Sequence, residues 1–173
     1  IQYRMKKNGE VAPMEALEAV MAARDLLEQV TPLRTDCGRY CGGACCLSDE
    51  DGQGGMLLFP GEEALYTPLP EGFSLTRDDS VTEGGLLLTC DGVCDRANRP
   101  LACRLFPMLP RENGAKMDHR AWAVCPLMAG GKAGLSREFV AAVTATGKLL
   151  YACPEHAAFL KALDAYIEKL KQF

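Results

Sequence analysis

The sequence predicts a small α+β domain: a Cys-rich core of short strands and loops, packed by an N-terminal helix and two C-terminal helices. Apolar residues recur at helical spacing toward both ends of the chain. Between those stretches lie short apolar runs separated by Gly- and Pro-rich turns, and eight of the nine cysteines fall there. The 173 residues suit one domain, 1–173, with a helix over 13–30, a Cys-rich core over 36–126 and helices over 134–173. An apolar share of 48% is enough for an ordinary core without help from disulfides.

Within 13–30, Leu17, Val20, Leu27 and Val30 fall near helical spacing, with Met14 and Met21 flanking the stripe. Glu15 and Glu18 suit the positive end of the helix dipole, and Thr31-Pro32 closes the helix. Residues 36–50 read as a loop of Cys and Gly that can fold tightly around an ion. Met56-Leu57-Leu58-Phe59 predicts a short buried strand, after which Pro60 opens a short helix over 61–66. Residues 86–89 predict a second strand, delivering Cys90 to a turn at Asp91-Gly92. Residues 121–124 predict a third, delivering Cys125 and placing Trp122 in the core, where it could also shield a cluster from water. The helix over 136–151 carries Phe139, Val140, Val143 and Leu150 on one face. The last helix starts at Pro154, a favoured first-turn residue, and presents Phe159, Leu160, Leu163, Tyr166, Ile167 and Leu170.

A net charge of −4 argues against a general nucleic-acid binder. Lys6-Lys7 is only a pair, and the apolar runs fall far short of the roughly 20 residues a membrane span needs, so no membrane partner is expected. The opening Ile1-Gln2-Tyr3-Arg4-Met5 lacks the apolar region of a secretion signal, and its missing initiator Met suggests a trimmed start. Nine cysteines are about 5% of the chain, below the roughly 8–10% of disulfide scaffolds. Their odd number leaves at least one unpaired. A cytoplasmic location is therefore expected, where thiols stay reduced and free to bind metal.

The cysteines form two groups: Cys37, Cys41, Cys45 and Cys46 within ten residues, then Cys90, Cys94 and Cys103, with Cys125 beyond. The C-x3-C spacings at Cys37–Cys41, Cys41–Cys45 and Cys90–Cys94 fall inside the spacing range of zinc knuckles, and a four-iron cluster takes four thiolates from loops of similar tightness. Spacing therefore points to metal without choosing between zinc and iron–sulfur. Gly38, Gly42 and Gly43 let backbone N–H groups approach sulfur, and Arg39 and Arg104 beside ligand positions are expected to offset thiolate charge. Buried free cysteines do not usually bunch on Gly-rich loops, and the adjacent Cys45-Cys46 pair argues against disulfides because such a bridge is strained. The isolated Cys153 reads as a small core residue.

The run Cys37-x3-Cys41-Gly42-Gly43-Ala44-Cys45-Cys46, the C-x3-C pair at Cys90 and Cys94, and Arg99-Pro100-Leu101-Ala102-Cys103-Arg104-Leu105-Phe106-Pro107 resemble the CxxCxxCC family of zinc- or iron-chelating proteins. The resemblance spans about residues 37–125, with three residues rather than two between the early cysteines. It implies a chelating role for Cys37, Cys41, Cys45, Cys46, Cys90, Cys94, Cys103 and Cys125, with a [4Fe-4S] iron–sulfur cluster or Zn2+ as the cofactor. Four of the eight suffice for one tetrahedral zinc or one four-iron cluster; all eight could hold two ions, or a cluster plus a structural zinc. The favoured arrangement is one four-ligand centre drawing on both Cys-rich segments. A family relative is the flagellin lysine methylase, so an iron–sulfur enzyme modifying a protein is one alternative. A zinc-stapled module that binds an unknown protein partner through its C-terminal helices is the other.

Enzymatic activity is left open. His119 reads as a surface turn residue, and His156, in the first turn of the last helix, is expected to be solvated; neither makes an H-E-x-x-H pattern. Arg99, Arg104 and His119 are the polar groups an enzyme could recruit beside the centre. Asp78-Asp79 and Asp49-Glu50-Asp51 read as solvated surface. The Gly pairs make no phosphate-binding pattern, and two histidines give little scope for a Ser-His-Asp arrangement.

Overall fold

The computed structural model describes residues 14–47 and 54–172. The Lys6-Lys7 pair and the Asp49-Glu50-Asp51 run lie outside them. The fold is α+β, with helices toward both ends and antiparallel strands between. Helix α1 (Ala16–Leu26) buries Ala19, Val20 and Ala23, and Leu27 extends that stripe. Helix α2 (Gly38–Cys41) is a single turn in the first cysteine loop. Strands β1 (Met56–Leu57), β2 (Phe73–Arg77) and β3 (Leu86–Cys90) form an antiparallel sheet in the order β1-β3-β2. Its register sets Met56 against Leu88 and Phe73 against Cys90.

Helix α3 (Leu101–Leu105) carries Cys103 and leads into the hairpin β4 (Met108–Arg111) and β5 (Gly114–Met117). Helix α4 (Arg137–Tyr151) lies on that hairpin and on α1, and α5 (Pro154–Leu170) packs on α4. Ser136 caps α4, its hydroxyl accepting from the Phe139 N–H at 3.2 Å. Gly147 lets α4 sit directly on β4, because a Cβ there would lie 2.2 Å from the Arg111 carbonyl oxygen. The main core joins α1, α3, β4, α4 and α5 around Val20, Leu101, Met108, Phe139, Val143, Leu150, Leu160 and Ile167; a small satellite of Leu58, Tyr66 and Leu88 lies under the three-stranded sheet. Among the described residues no helix is long and apolar enough to cross a membrane.

Four expectations are corrected. The first helix stops at Leu26 rather than near Val30, because Arg96 takes the carbonyls that follow: Nε donates to Glu28 O at 2.6 Å, and Nη2 to Leu27 O at 2.9 Å and Val30 O at 2.7 Å. The strand expected over 121–124 is a 3-10 turn, His119–Ala123, capped by the buried Asp118, whose carboxylate accepts from the N–H of Arg120 at 3.0 Å and from its guanidinium. Trp122 on that turn is 60% exposed rather than core. His156 is buried rather than solvated, its Nε2 2.8 Å from Ala16 O and its ring tilted against Phe59. Cys153 is buried in the core as expected, and His119 is exposed.

Candidate metal centre

All eight clustered cysteines line one cavity of about 320 Å3. All nine cysteines of the chain are free thiols. Four separate chain segments bring the eight together. The Asp36 carboxylate accepts from Gly38 N at 3.1 Å and starts α2, which sets Cys37 and Cys41 one turn apart, with Cys41 N on Cys37 O at 3.3 Å. Gly42 and Gly43 then both take left-handed backbone, at φ 66° and 72°. A side chain disfavours that conformation, so two successive glycines let the chain reverse sharply. The reversal ends in the 3-10 turn Ala44–Cys46, which presents the vicinal pair.

The sheet positions the second group. Strand β3 ends on Cys90, and Asp91 Oδ1 accepts from Val93 N at 3.1 Å, closing the turn that carries Cys94 back. Cys103 rides on α3. Cys125 follows the Asp118-capped turn, and the N–H groups of Leu127 and Met128 point at its sulfur.

Three arginines lock these segments to one another. Arg96 caps the C-terminal carbonyls of α1, as described. Arg104 donates to Arg99 O at 3.0 Å and Arg96 O at 2.8 Å, and pairs with Glu28. Arg24 donates to Ala97 O at 2.7 Å and to Glu62 at 3.0 Å. Glu62, fully buried, also accepts from Leu101 N at 2.7 Å and so holds the start of α3. The end of α1, which leads into Cys37, is thus tied to the 94–104 segment that carries Cys94 and Cys103.

Sequence reasoning missed Glu62, Arg24 and Arg96 because each acts on backbone distant in the chain. The signal that could have found them is the run of Arg96, Arg99 and Arg104 between cysteines of an acidic protein. Of the two arginines expected to offset thiolate charge, Arg39 points to solvent and Arg104 is turned onto Glu28 and backbone carbonyls. Arg99 takes that place instead. Burial works against its charge, but a hydrogen bond to Cys94 and the neighbouring Asp36 and Cys46 outweigh it and raise its pKa.

Burial pushes the thiols of Cys37, Cys94, Cys103 and Cys125 up, and neighbouring cysteines add to it. The vicinal pair splits: the Cys45 S–H donates to Cys46, which raises Cys45 and lowers Cys46. Crowded thiols therefore resist ionising together, and a bound cation is what would reverse that preference.

The donor set fits a soft metal. Among the described residues no histidine lines the cavity and Asp36 is the only carboxylate on its wall, so sulfur dominates. Apolar groups such as Val30, Met56, Phe73 and Leu127 make up much of the remaining wall. Among the described residues no three Cys, His, Asp or Glu side chains close on a common point at metal-ligand spacing. The thiols share a chamber, then, without being drawn to one position in it. No family model, no curated protein and no solved structure matches this chain.

Proposed function

We propose that this is a cytoplasmic metal-binding protein whose cysteine thiolates hold an iron–sulfur cluster or zinc. One observation carries the reading: eight free thiols from four chain segments line a single cavity. The candidate ligands are the eight cysteines on its wall, Cys37, Cys41, Cys45, Cys46, Cys90, Cys94, Cys103 and Cys125, four of which suffice for one tetrahedral ion or one cluster. This set draws on both Cys-rich segments, in keeping with the resemblance to the CxxCxxCC family. A cluster would supply one-electron chemistry, whereas a four-thiolate zinc would be closed and structural. The chain's own contribution is the arginine clasp that fixes the spacing between segments, the apolar wall that limits water, and the Arg99 N–H that spreads charge from the Cys94 sulfur.

A second reading, a metal-stapled interaction module, is favoured by one feature. Tyr40, Leu47, Val93 and Trp122, all on cysteine-bearing segments or next to them, are 69%, 64%, 80% and 60% exposed. Large apolar side chains at that exposure suit a protein partner.

Iron, zinc and acid-labile sulfide measured together on protein purified without oxygen test the proposal. At least one equivalent of zinc, or about four iron with four sulfide, is expected. Cys103→Ser is expected to lower that content severely. Metal below about a tenth of an equivalent, after reconstitution with either, would overturn it.

A further inference from the structure

We propose that residues 36–47 are a hinged strap that closes over the cysteine cavity when metal binds, and that the wall carrying Cys90, Cys94 and Cys103 is its fixed base. This rests on the metal-binding reading above and adds to it which part of the cavity moves.

The base is tied to the rest of the fold at many points. Leu101 and Leu105 of α3 are buried, with Cys103 between them. Glu62 accepts from Leu101 N at 2.7 Å, and Tyr66 Oη donates to Asn98 O at 2.9 Å. Arg24 holds Ala97 O at 2.7 Å, and Arg96 reaches three carbonyls at the end of α1. Cys90 ends β3, the central strand of its sheet, and Asp91 N donates to Gly72 O at 3.1 Å. The strap is held differently. The chain is pinned up to residue 35: Pro32 is buried, its carbonyl accepts from Ser136 N at 2.8 Å, and Thr31 Oγ1 donates to Thr35 O at 3.2 Å. Beyond that point, among the described residues, every backbone–backbone hydrogen bond of 36–47 stays inside the segment. Neither of its turns buries a side chain, and none of its residues belongs to a hydrophobic core.

Local stability follows buried apolar contact and tied backbone, so the base lies at the stable end of the molecule and the strap at the other. The hinge is Gly42-Gly43, midway along the strap. A Cβ on either glycine would meet nothing within 4 Å, so close packing does not demand them; their use is the backbone freedom itself. Among the described residues the sulfurs do not close on a common point, so a four-thiolate site needs one wall to move, and the strap is the wall with the fewest ties. A ligand shifts such an equilibrium only through tighter binding to one arrangement. That difference is present here. At a centre drawing on both Cys-rich segments the base supplies at most three thiolates, and the strap must bring the rest of the four.

The experiment compares reduced, metal-stripped full-length chain with the same chain loaded with Zn2+, or reconstituted with Fe2+ and sulfide, all without oxygen. Hydrogen exchange over about a minute is read by mass spectrometry across 36–47 and across Leu101–Leu105. Tryptic cutting after Arg39, which is exposed beside exposed Tyr40, is followed in parallel. Metal content is measured on the same samples. Without metal the strap is expected to exchange in that time and to be cut, whereas α3 stays protected. Metal is expected to slow exchange and cutting in the strap by about tenfold or more. Metal retained with the strap unchanged, or a strap already as protected as α3 before metal is added, overturns the strap and leaves the metal-binding reading standing. No metal retained from either source overturns both.

Discussion

Glu62→Gln is expected to destabilise the protein by about 3 kcal/mol. Oε1 of Glu62 accepts from Leu101 N at 2.7 Å and Arg24 Nη1 at 3.0 Å, and Oε2 accepts from Phe59 N at 3.1 Å. Burial raises the carboxyl pKa, while the two backbone donors and Arg24 pull it back. Three donors converge on the two oxygens, so the ionised form is the one that satisfies them. A Gln side chain has one oxygen. Whichever way its amide is turned, its NH2 meets at least one backbone N–H. That leaves a buried donor unpaired, which costs about 1–3 kcal/mol. Arg24 also loses its counter-charge; removing one partner of a fully buried pair costs about 3–5 kcal/mol. Arg24 is 13% exposed and keeps Ala97 O and Tyr66 Oη, so the lower end applies. Urea unfolding followed by far-ultraviolet circular dichroism measures the loss. Hydrogen exchange across Leu101–Leu105 reads the local effect, because Glu62 holds the first N–H of α3. A loss under about 1 kcal/mol, with unchanged denaturant dependence and unchanged exchange in α3, would refute the reasoning.

Two further outcomes follow from packing and burial. Gly147→Ala is expected to lower the melting temperature, by about 1–3 kcal/mol of stability, since its Cβ would meet the Arg111 carbonyl at 2.2 Å and backbone there cannot yield without parting α4 from the hairpin. Alanine's helix propensity favours the opposite sign by about 1 kcal/mol, so a raised melting temperature would show that the approach is not tight. The second concerns pH. Burial lowers the pKa of His156 below its ordinary 6.5, so the unfolded chain binds the proton first. Stability is therefore full above about pH 6.5 and declines as pH falls through that value, at up to about 1.4 kcal/mol per pH unit for one proton. Denaturant unfolding between pH 7 and 5 should show this slope in the wild type and a flatter one in His156→Leu; equal slopes would remove His156 from the account.

The α+β class, the N-terminal helix, both C-terminal helices and the short strands at Met56 and Leu86 were legible in the chain because local periodicity and caps specify them. The helix over 136–151 illustrates this: Ser136 caps it and Phe139, Val143 and Leu150 bury one face. The hairpin from Met108 to Met117 carries no such signal: Arg111 pairs with Gly114 across a turn at Glu112-Asn113, and Pro110 and Lys116 interrupt the apolar residues of its strands. The turn at His119–Ala123 had no comparable signal. Ala121-Trp122-Ala123-Val124 has strand-like composition, and only the Asp118 carboxylate closing on Arg120 makes it a turn and leaves Trp122 outside.

By itself the sequence determined how the thiols cluster: eight of them on Gly-rich segments, at C-x3-C spacing over 37–41, 41–45 and 90–94, with a vicinal pair at Cys45-Cys46. Spacing along a chain is a local property, so it can be read without a fold. That both groups of thiols meet in one cavity was decided only in three dimensions. Arg39 and Arg104 flank cysteines in sequence, yet Arg99 reaches the sulfurs, because Arg104 is drawn to Glu28 on α1 and to backbone carbonyls. A guanidinium settles where unpaired acceptors and carboxylates lie in space, and those were supplied by helix ends and a buried Glu62 far away in the chain.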